Sequence, residues 1–117
     1  MKYMLLIYMD EQALNDTQRQ HCYVESTQLA HDLKANGQFL ATSPLQPTST
    51  ATSVRIREGK RIVTDGPFAE TREQLGGFFM VEAKDLDGAI GIAARIPGAR
   101  AGTVEIRPVI EIPGLPD

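Results

Sequence analysis

The residues best suited to chemistry gather in the run Asp65-Gly66-Pro67-Phe68-Ala69-Glu70-Thr71-Arg72-Glu73-Gln74. Pro67 fixes its own φ and biases Gly66 towards extended backbone, and Asp65 can accept a local backbone N–H, so the turn is strongly specified. Along one rim it offers carboxylates at Asp65 and Glu70, a hydroxyl at Thr71 and a cation at Arg72. Such a set suits a polar small molecule, and a carboxyl raised in pKa by an apolar neighbour such as Phe68 can serve as a general base. Asp65 is therefore the candidate catalytic residue, and Asp65, Gly66, Pro67, Phe68, Thr71 and Arg72 are the candidate ligand contacts. A rigid connector with its charges in water accounts equally well for Asp65, and better for Glu70 and Glu73.

The other reactive residue types are scattered. His21 and His31 are too far apart in sequence to be helical neighbours, which sit three or four positions apart, so both read as surface or half-buried helix residues. Cys22 is the sole cysteine and no HExxH pattern occurs, so the sequence argues for neither a metal nor a cofactor. Cys22 reads most simply as a small apolar-stripe residue. Arg55, Arg57, Lys60 and Arg61 concentrate positive charge, which a solvated hairpin explains as well as an anionic ligand does. Gly59-Lys60-Arg61 lacks the glycine and hydroxyl of a phosphate loop, and Gly76-Gly77 lacks a dinucleotide fingerprint.

These residues need a frame. Lys2 to Tyr8 is a short apolar run ending in charge, as a buried strand does. Asn15 to Thr17 supplies capping residues, with a capping box expected from Thr17 and Gln20, and the helix runs to Gly37 as its C-terminal cap. Its apolar stripe is Cys22, Ser26, Leu29 and Leu33, beside Tyr23 and Ala30. Gln38 to Thr42 reads as a strand, and the segment from Ser43 to Ser53 as a surface loop. Val54–Arg57 and Arg61–Thr64 flank Glu58-Gly59-Lys60, an accessory hairpin. Leu75–Glu82 is the next strand, led by glycines that admit another backbone or a ligand. Asp85 caps a second helix reaching about Arg95, with Leu86, Ala89, Ile90 and Ala93 predicted inward, and Thr103–Val109 closes the chain as a strand.

That order predicts an α+β, ferredoxin-like βαββαβ domain spanning 1–117 with both helices on one face of the sheet. The central strands are apolar on both sides: Leu5 and Ile7 against Met4 and Leu6, Phe79 and Val81 against Phe78 and Met80. The uncovered face is then a patch that monomers avoid, and a second copy packed sheet to sheet covers it. The alternative cover is the long Ser43–Gln74 segment folded back.

Composition limits the partners. The 117 residues carry 12 Lys and Arg against 15 Asp and Glu, a net charge of −3, which offers no broad basic surface for nucleic acid. Tyr3 to Met9 is too short to span a bilayer and lacks a cleavage site, so no membrane role is expected. A sole cysteine and no leader point to a reducing, cytoplasmic setting.

The run DGPFAETREQLGGFF, with EAKDLDGAI, AARIP and GTVEIRPV after it, and MKYMLLIY and LQPTSTATSVR before it, resembles the DGPF-domain proteins of the YCII-related family. The resemblance covers nearly the whole chain and implies a ferredoxin-like dimer, the dimeric α+β barrel. Some members are held to be lyases or dehydrochlorinases using a His and Asp pair, and the genes of DGPF members often lie beside those of extracytoplasmic-function sigma factors. Counted back from the glycine that ends the first helix, the histidine position of that pair falls near Ser26, and the aspartate position falls at Ile96, so both roles are vacant. The expectation is a homodimeric small-molecule-binding protein, with its pocket between the helix face, the Asp65–Phe68 turn and the partner subunit. Its chemistry, if any, is that of a lyase or isomerase on a small organic acid or ring compound. The alternative is a non-catalytic accessory protein linked to a sigma factor.

Overall fold

A computed structural model describes residues 1–116. Four strands, β1 (Lys2–Met9), β2 (Phe39–Pro44), β5 (Gln74–Glu82) and β6 (Thr103–Pro108), form one antiparallel sheet in the order β2-β5-β1-β6. The helices α1 (Asp16–Ala35) and α2 (Leu86–Ala93) are the crossovers, and β3 (Thr52–Arg57) with β4 (Lys60–Asp65) form a separate two-stranded ribbon. The two doubly apolar strands occupy the centre of the sheet, as the ferredoxin-like order requires.

One face of that sheet is complete. Leu5, Phe79 and Val81 pack with Leu29 and Leu33 of α1 and with Ala89, Ile92, Ala93 and Ile96 in a single buried cluster. Val104 and Ile106 face the same way because they pair with Ile7 and Leu5 of β1. Among the described residues no helix covers Met4, Leu6, Phe78 and Met80 on the reverse face, and these side chains are half-buried. The molecule measures only 20 Å through its thinnest direction, two layers deep, so the Ser43–Gln74 segment does not fold back as a third layer.

Local signals account for most boundaries and correct several expectations. The capping box is Asn15 with Gln18, not Thr17 with Gln20. The Gln18 N–H donates to Asn15 Oδ1 at 2.8 Å, and the Asn15 N–H donates to Gln18 Oε1 at 2.9 Å. Asparagine is the better cap, and using it starts the helix one residue after Asn15. Gly37, at φ +72°, closes the same helix: its own N–H reaches Lys34 O and that of Gln38 reaches Leu33 O.

The stripe of α2 is shifted from the one predicted. Ala89, Ile92 and Ala93 are buried with Ile96 after them, whereas Leu86 and Ile90 are about half exposed. The helix ends at Ala93, and a further turn, α3 (Gly98–Ala101), precedes β6. Gly66, expected to be extended before Pro67, instead takes φ +103°, open to glycine because it has no Cβ. Its N–H donates to Ala51 O at 2.8 Å and its carbonyl accepts from Ser53 Oγ at 2.8 Å. Those bonds, rather than the Asp65 carboxylate, hold the turn.

Candidate functional site

One hollow lies on the helix side of the sheet. Under α1 a cavity of about 150 Å³ opens between Cys22, Ser26, the Gly77–Phe79 stretch of β5 and the Ile96–Gly98 turn. Its origin is visible in the α1 stripe. Leu29 and Leu33 fill the space under the C-terminal half of the helix, while Cys22 and Ser26 are too small to fill it under the N-terminal half. Glycines keep the floor low. A Cβ on Gly98 would stand 2.5 Å from Ile7 Cγ2, and one on Gly77 would stand 3.0 Å from Ser43 O. The second of these contacts is the close backbone approach expected at Gly76-Gly77.

The walls are mainly apolar, with Ile7, Met9, Phe79 and Ile96 among them. Three hydroxyls at the rim are already engaged, Thr42 with Phe78 O at 2.8 Å, Thr27 with Tyr23 O at 2.7 Å and Ser43 with Pro44 O at 3.1 Å. Ser26, Tyr23 and the Cys22 thiol remain as polar groups for a guest. Such a cavity favours a compact hydrocarbon-rich molecule held by shape, with a few polar contacts setting its orientation.

Two ion pairs brace this region. Arg100 of α3 grips Glu25 of α1 through both carboxylate oxygens, at 2.8 and 2.9 Å, and Arg95 meets Asp32 at 2.9 Å. The hydrogen bonds from Arg100 hold the Glu25 carboxyl below the usual carboxylate range against a small opposing desolvation. Among the described residues no Asp, Glu, His, Lys or Arg lines the cavity.

The Asp65–Gln74 run lies elsewhere. Asp65 ends β4, opposite Thr52, and is exposed; Phe68 is 76% exposed, with the Arg55 guanidinium 5.0 Å above its ring. Within one chain Asp65 therefore has no apolar enclosure. Pro67, Phe68 and Thr71 line a second, more open concavity of about 500 Å³ with Tyr8, Leu45 and Leu75, whereas Asp65, Gly66 and Arg72 do not. Arg72 reaches Asp10 at 3.4 Å. Asp10 is held below the usual range first by the Gln12 N–H and then by Arg72. Glu70 points to water as expected, but Glu73 does not simply do so: it accepts from Thr103 Oγ1 at 2.8 Å and ties the run to β6.

Within one chain the helix face and the Pro67–Phe68 part of the turn border two separate concavities. Ile7 lines the first and Tyr8, its neighbour on β1, lines the second, which puts them on opposite sides of the sheet. His21 and His31 are both exposed, and neither lines the cavity. What sequence reasoning missed is the cavity itself. Its traces are small residues one helical turn apart at Cys22 and Ser26, together with glycine at 77 and 98.

Strand order, crossover helices on one face and a cavity beneath the first helix define a ferredoxin-like α+β protein with a ligand-sized hollow. The chain belongs to the YCII-related domain family, which it matches over residues 1–113. It is similar to an uncharacterized protein of Rhizobium meliloti (strain 1021), with 34% identity across 93% of this chain and 92% of that one. Among the described residues no helix is long and apolar enough to cross a membrane. Ser26 and Ile96, where the His and Asp pair of some family members was placed by resemblance, both line the cavity.

Proposed function

We propose that this protein is a homodimer that binds a small, chiefly apolar molecule, a ring compound or a short organic acid, in the cavity beneath α1. The observation that carries the reading is the meeting of Ser26 and Ile96 in that cavity. A serine and an isoleucine stand where an acid–base pair would act, which leaves a binding hollow without a proton-transfer couple. The dimer rests on the reverse face of the sheet, where Met4, Leu6, Phe78 and Met80 await an apolar cover. Lyase or isomerase turnover would need a base from outside this wall. Asp65 is the candidate, and burial by a second subunit is what would activate it.

A thermal-shift screen of aromatic and alicyclic compounds and short-chain acids tests the reading. A ligand at a hundredfold excess over its Kd stabilises the native state by about 2.7 kcal/mol. A matching compound is expected to raise Tm in the wild type and to leave Ser26→Phe, whose ring fills the cavity, unmoved. A compound that stabilises both proteins equally would place its site elsewhere. A panel without a single stabilising compound would favour the accessory role with a protein partner.

A further inference from the structure

The β3–β4 ribbon is an unusual object for a folded chain. Its strands pair only with each other, joined by a two-residue turn with Glu58 at φ +51° and Gly59 at φ +73°. Both central residues have positive φ, which matches the right-handed twist of the strands. Isolated two-stranded hairpins are marginal in water and need something to pack against. The chain is also extended, with a radius of gyration of 15.9 Å, where a compact domain of this length has about 13 Å.

Register divides the ribbon into two unlike faces. Val54 pairs with Val63, Ile56 with Arg61 and Thr52 with Asp65, so these six side chains share one face. The other face carries Arg55, Arg57 and Lys60 around Ile62, with Ser53 and Thr64 nearer its base, where Phe68 stacks on Arg55. That basic face repels a copy of itself. On the first face Val54 and Ile56 are each 60% exposed and Val63 is 57% exposed, an apolar ladder with nothing over it. A cation stands at its tip, Arg61, and an anion at its base, Asp65. Neither belongs to any ion pair among the described residues. Four positions apart on one strand they are separated by about 13 Å, too far to pair with each other.

This pattern is self-complementary. Rotate a second ribbon by a half-turn onto the first, with Val63 over Val63, and the tip of each lies over the base of the other. We propose that the hairpins of two copies pack in this antiparallel, face-to-face way. Val54, Ile56 and Val63 are then covered, and Arg61 of each copy meets the partner's Asp65. The arrangement rests on the homodimer argued above and adds to it a second contact that fixes which copy face meets which. It also makes Asp65 an assembly residue paired with a cation, a role that replaces the general-base role that turnover would ask of it.

A charge-swap cycle read by sedimentation equilibrium tests this. Arg61→Asp and Asp65→Arg each place like charges together across the ribbons and are expected to weaken the dimer at least about tenfold. The double variant Arg61→Asp with Asp65→Arg restores opposite charges and recovers wild-type affinity, because the interaction lies between chains. Circular dichroism confirms that each exposed variant is folded. A wild type that sediments as a monomer at micromolar concentration overturns the dimer and the arm contact together. A wild-type dimer whose affinity ignores both single swaps, or a double variant as weak as its parents combined, overturns the arm contact and leaves the sheet-face dimer standing. As an independent readout, a photocrosslinker at residue 63 in a mixture of light and heavy-isotope chains is expected to join a light peptide to a heavy one. Crosslinks confined to single chains count against the arm contact.

Discussion

The helix-covered face of the sheet and the β3–β4 ribbon are built from the same kinds of residue and end in opposite states. On the sheet, Leu5 and Val81 have no exposed surface and Phe79 has 1%, and Leu33 of the covering α1 has none either. On the ribbon, the valines and isoleucine of the apolar face keep more than half of theirs. The sheet face meets its cover, α1 and α2, within its own chain, whereas the ribbon projects away from everything the chain supplies. One region is therefore stabilised by folding and the other awaits association. Mutations should sort accordingly, into those that change unfolding and those that change assembly.

The largest expected contrast comes from truncating one apolar side chain in each region. Phe79→Ala leaves a cavity in the closed cluster and should cost about 3–5 kcal/mol in urea unfolding. Val63→Ala should leave unfolding of the dilute protein within about 0.5 kcal/mol and weaken the dimer instead. Equal losses of unfolding stability at the two positions would erase the distinction.

A smaller but more local contrast is available from amide hydrogen exchange. Amides of β5 sit in the central ladder and should exchange only through global unfolding, while those of β3 and β4 open locally and exchange much faster. If ribbons pair between copies, protection of β3 and β4 rises with protein concentration and protection of β5 does not. Concentration-independent exchange in the ribbon would limit assembly to the sheet face.

The difference between the regions also governs what was legible beforehand. Strand order followed from the βαββαβ sequence of elements, and runs such as Leu5-Leu6-Ile7 and Phe78-Phe79, apolar on both sides, agreed with the central places of β1 and β5. The hairpin followed from Glu58-Gly59-Lys60, but its register did not: the turn closes on Glu58 and Gly59 alone, so Lys60 belongs to β4 and pairs with Arg57. The inward side of α2 did not follow. Its sequence Leu-Asp-Gly-Ala-Ile-Gly-Ile-Ala contains two overlapping apolar stripes, and contact with the sheet chose the one through Ile92 and Ile96. The cavity was hidden for a related reason. A hollow is the product of what several distant segments lack, here side chains at Gly77 and Gly98 and bulk at Cys22 and Ser26, and no single motif records a shared deficit. The Asp65–Arg72 run had the opposite fault, being dense in reactive residue types that the fold distributes between a ribbon stem, an open concavity and a salt bridge.

The smallest effect expected concerns how the cavity is kept shut. Glu25 and Arg100 tie α1 to the turn that follows Gly98, on the rim of the hollow, and both side chains are about half exposed or more. Pairing depresses the folded-state pKa of Glu25. Its stabilisation is therefore fully present above the ordinary glutamate pKa and is lost as pH falls through the lower folded value. Arg100 is shifted upward by the same bond and stays charged throughout that window, so the carboxylate alone sets the pH dependence. Glu25→Gln removes the titrating group, and its destabilisation relative to wild type should be modest at neutral pH, as for exposed ion pairs, and should shrink towards zero in acid. Thermal melts of the two proteins across that pH range measure the difference directly. A gap between them that stays constant or widens as the pH drops would mean that Glu25 acts through packing rather than charge. The brace would then be no more electrostatic than the core it borders.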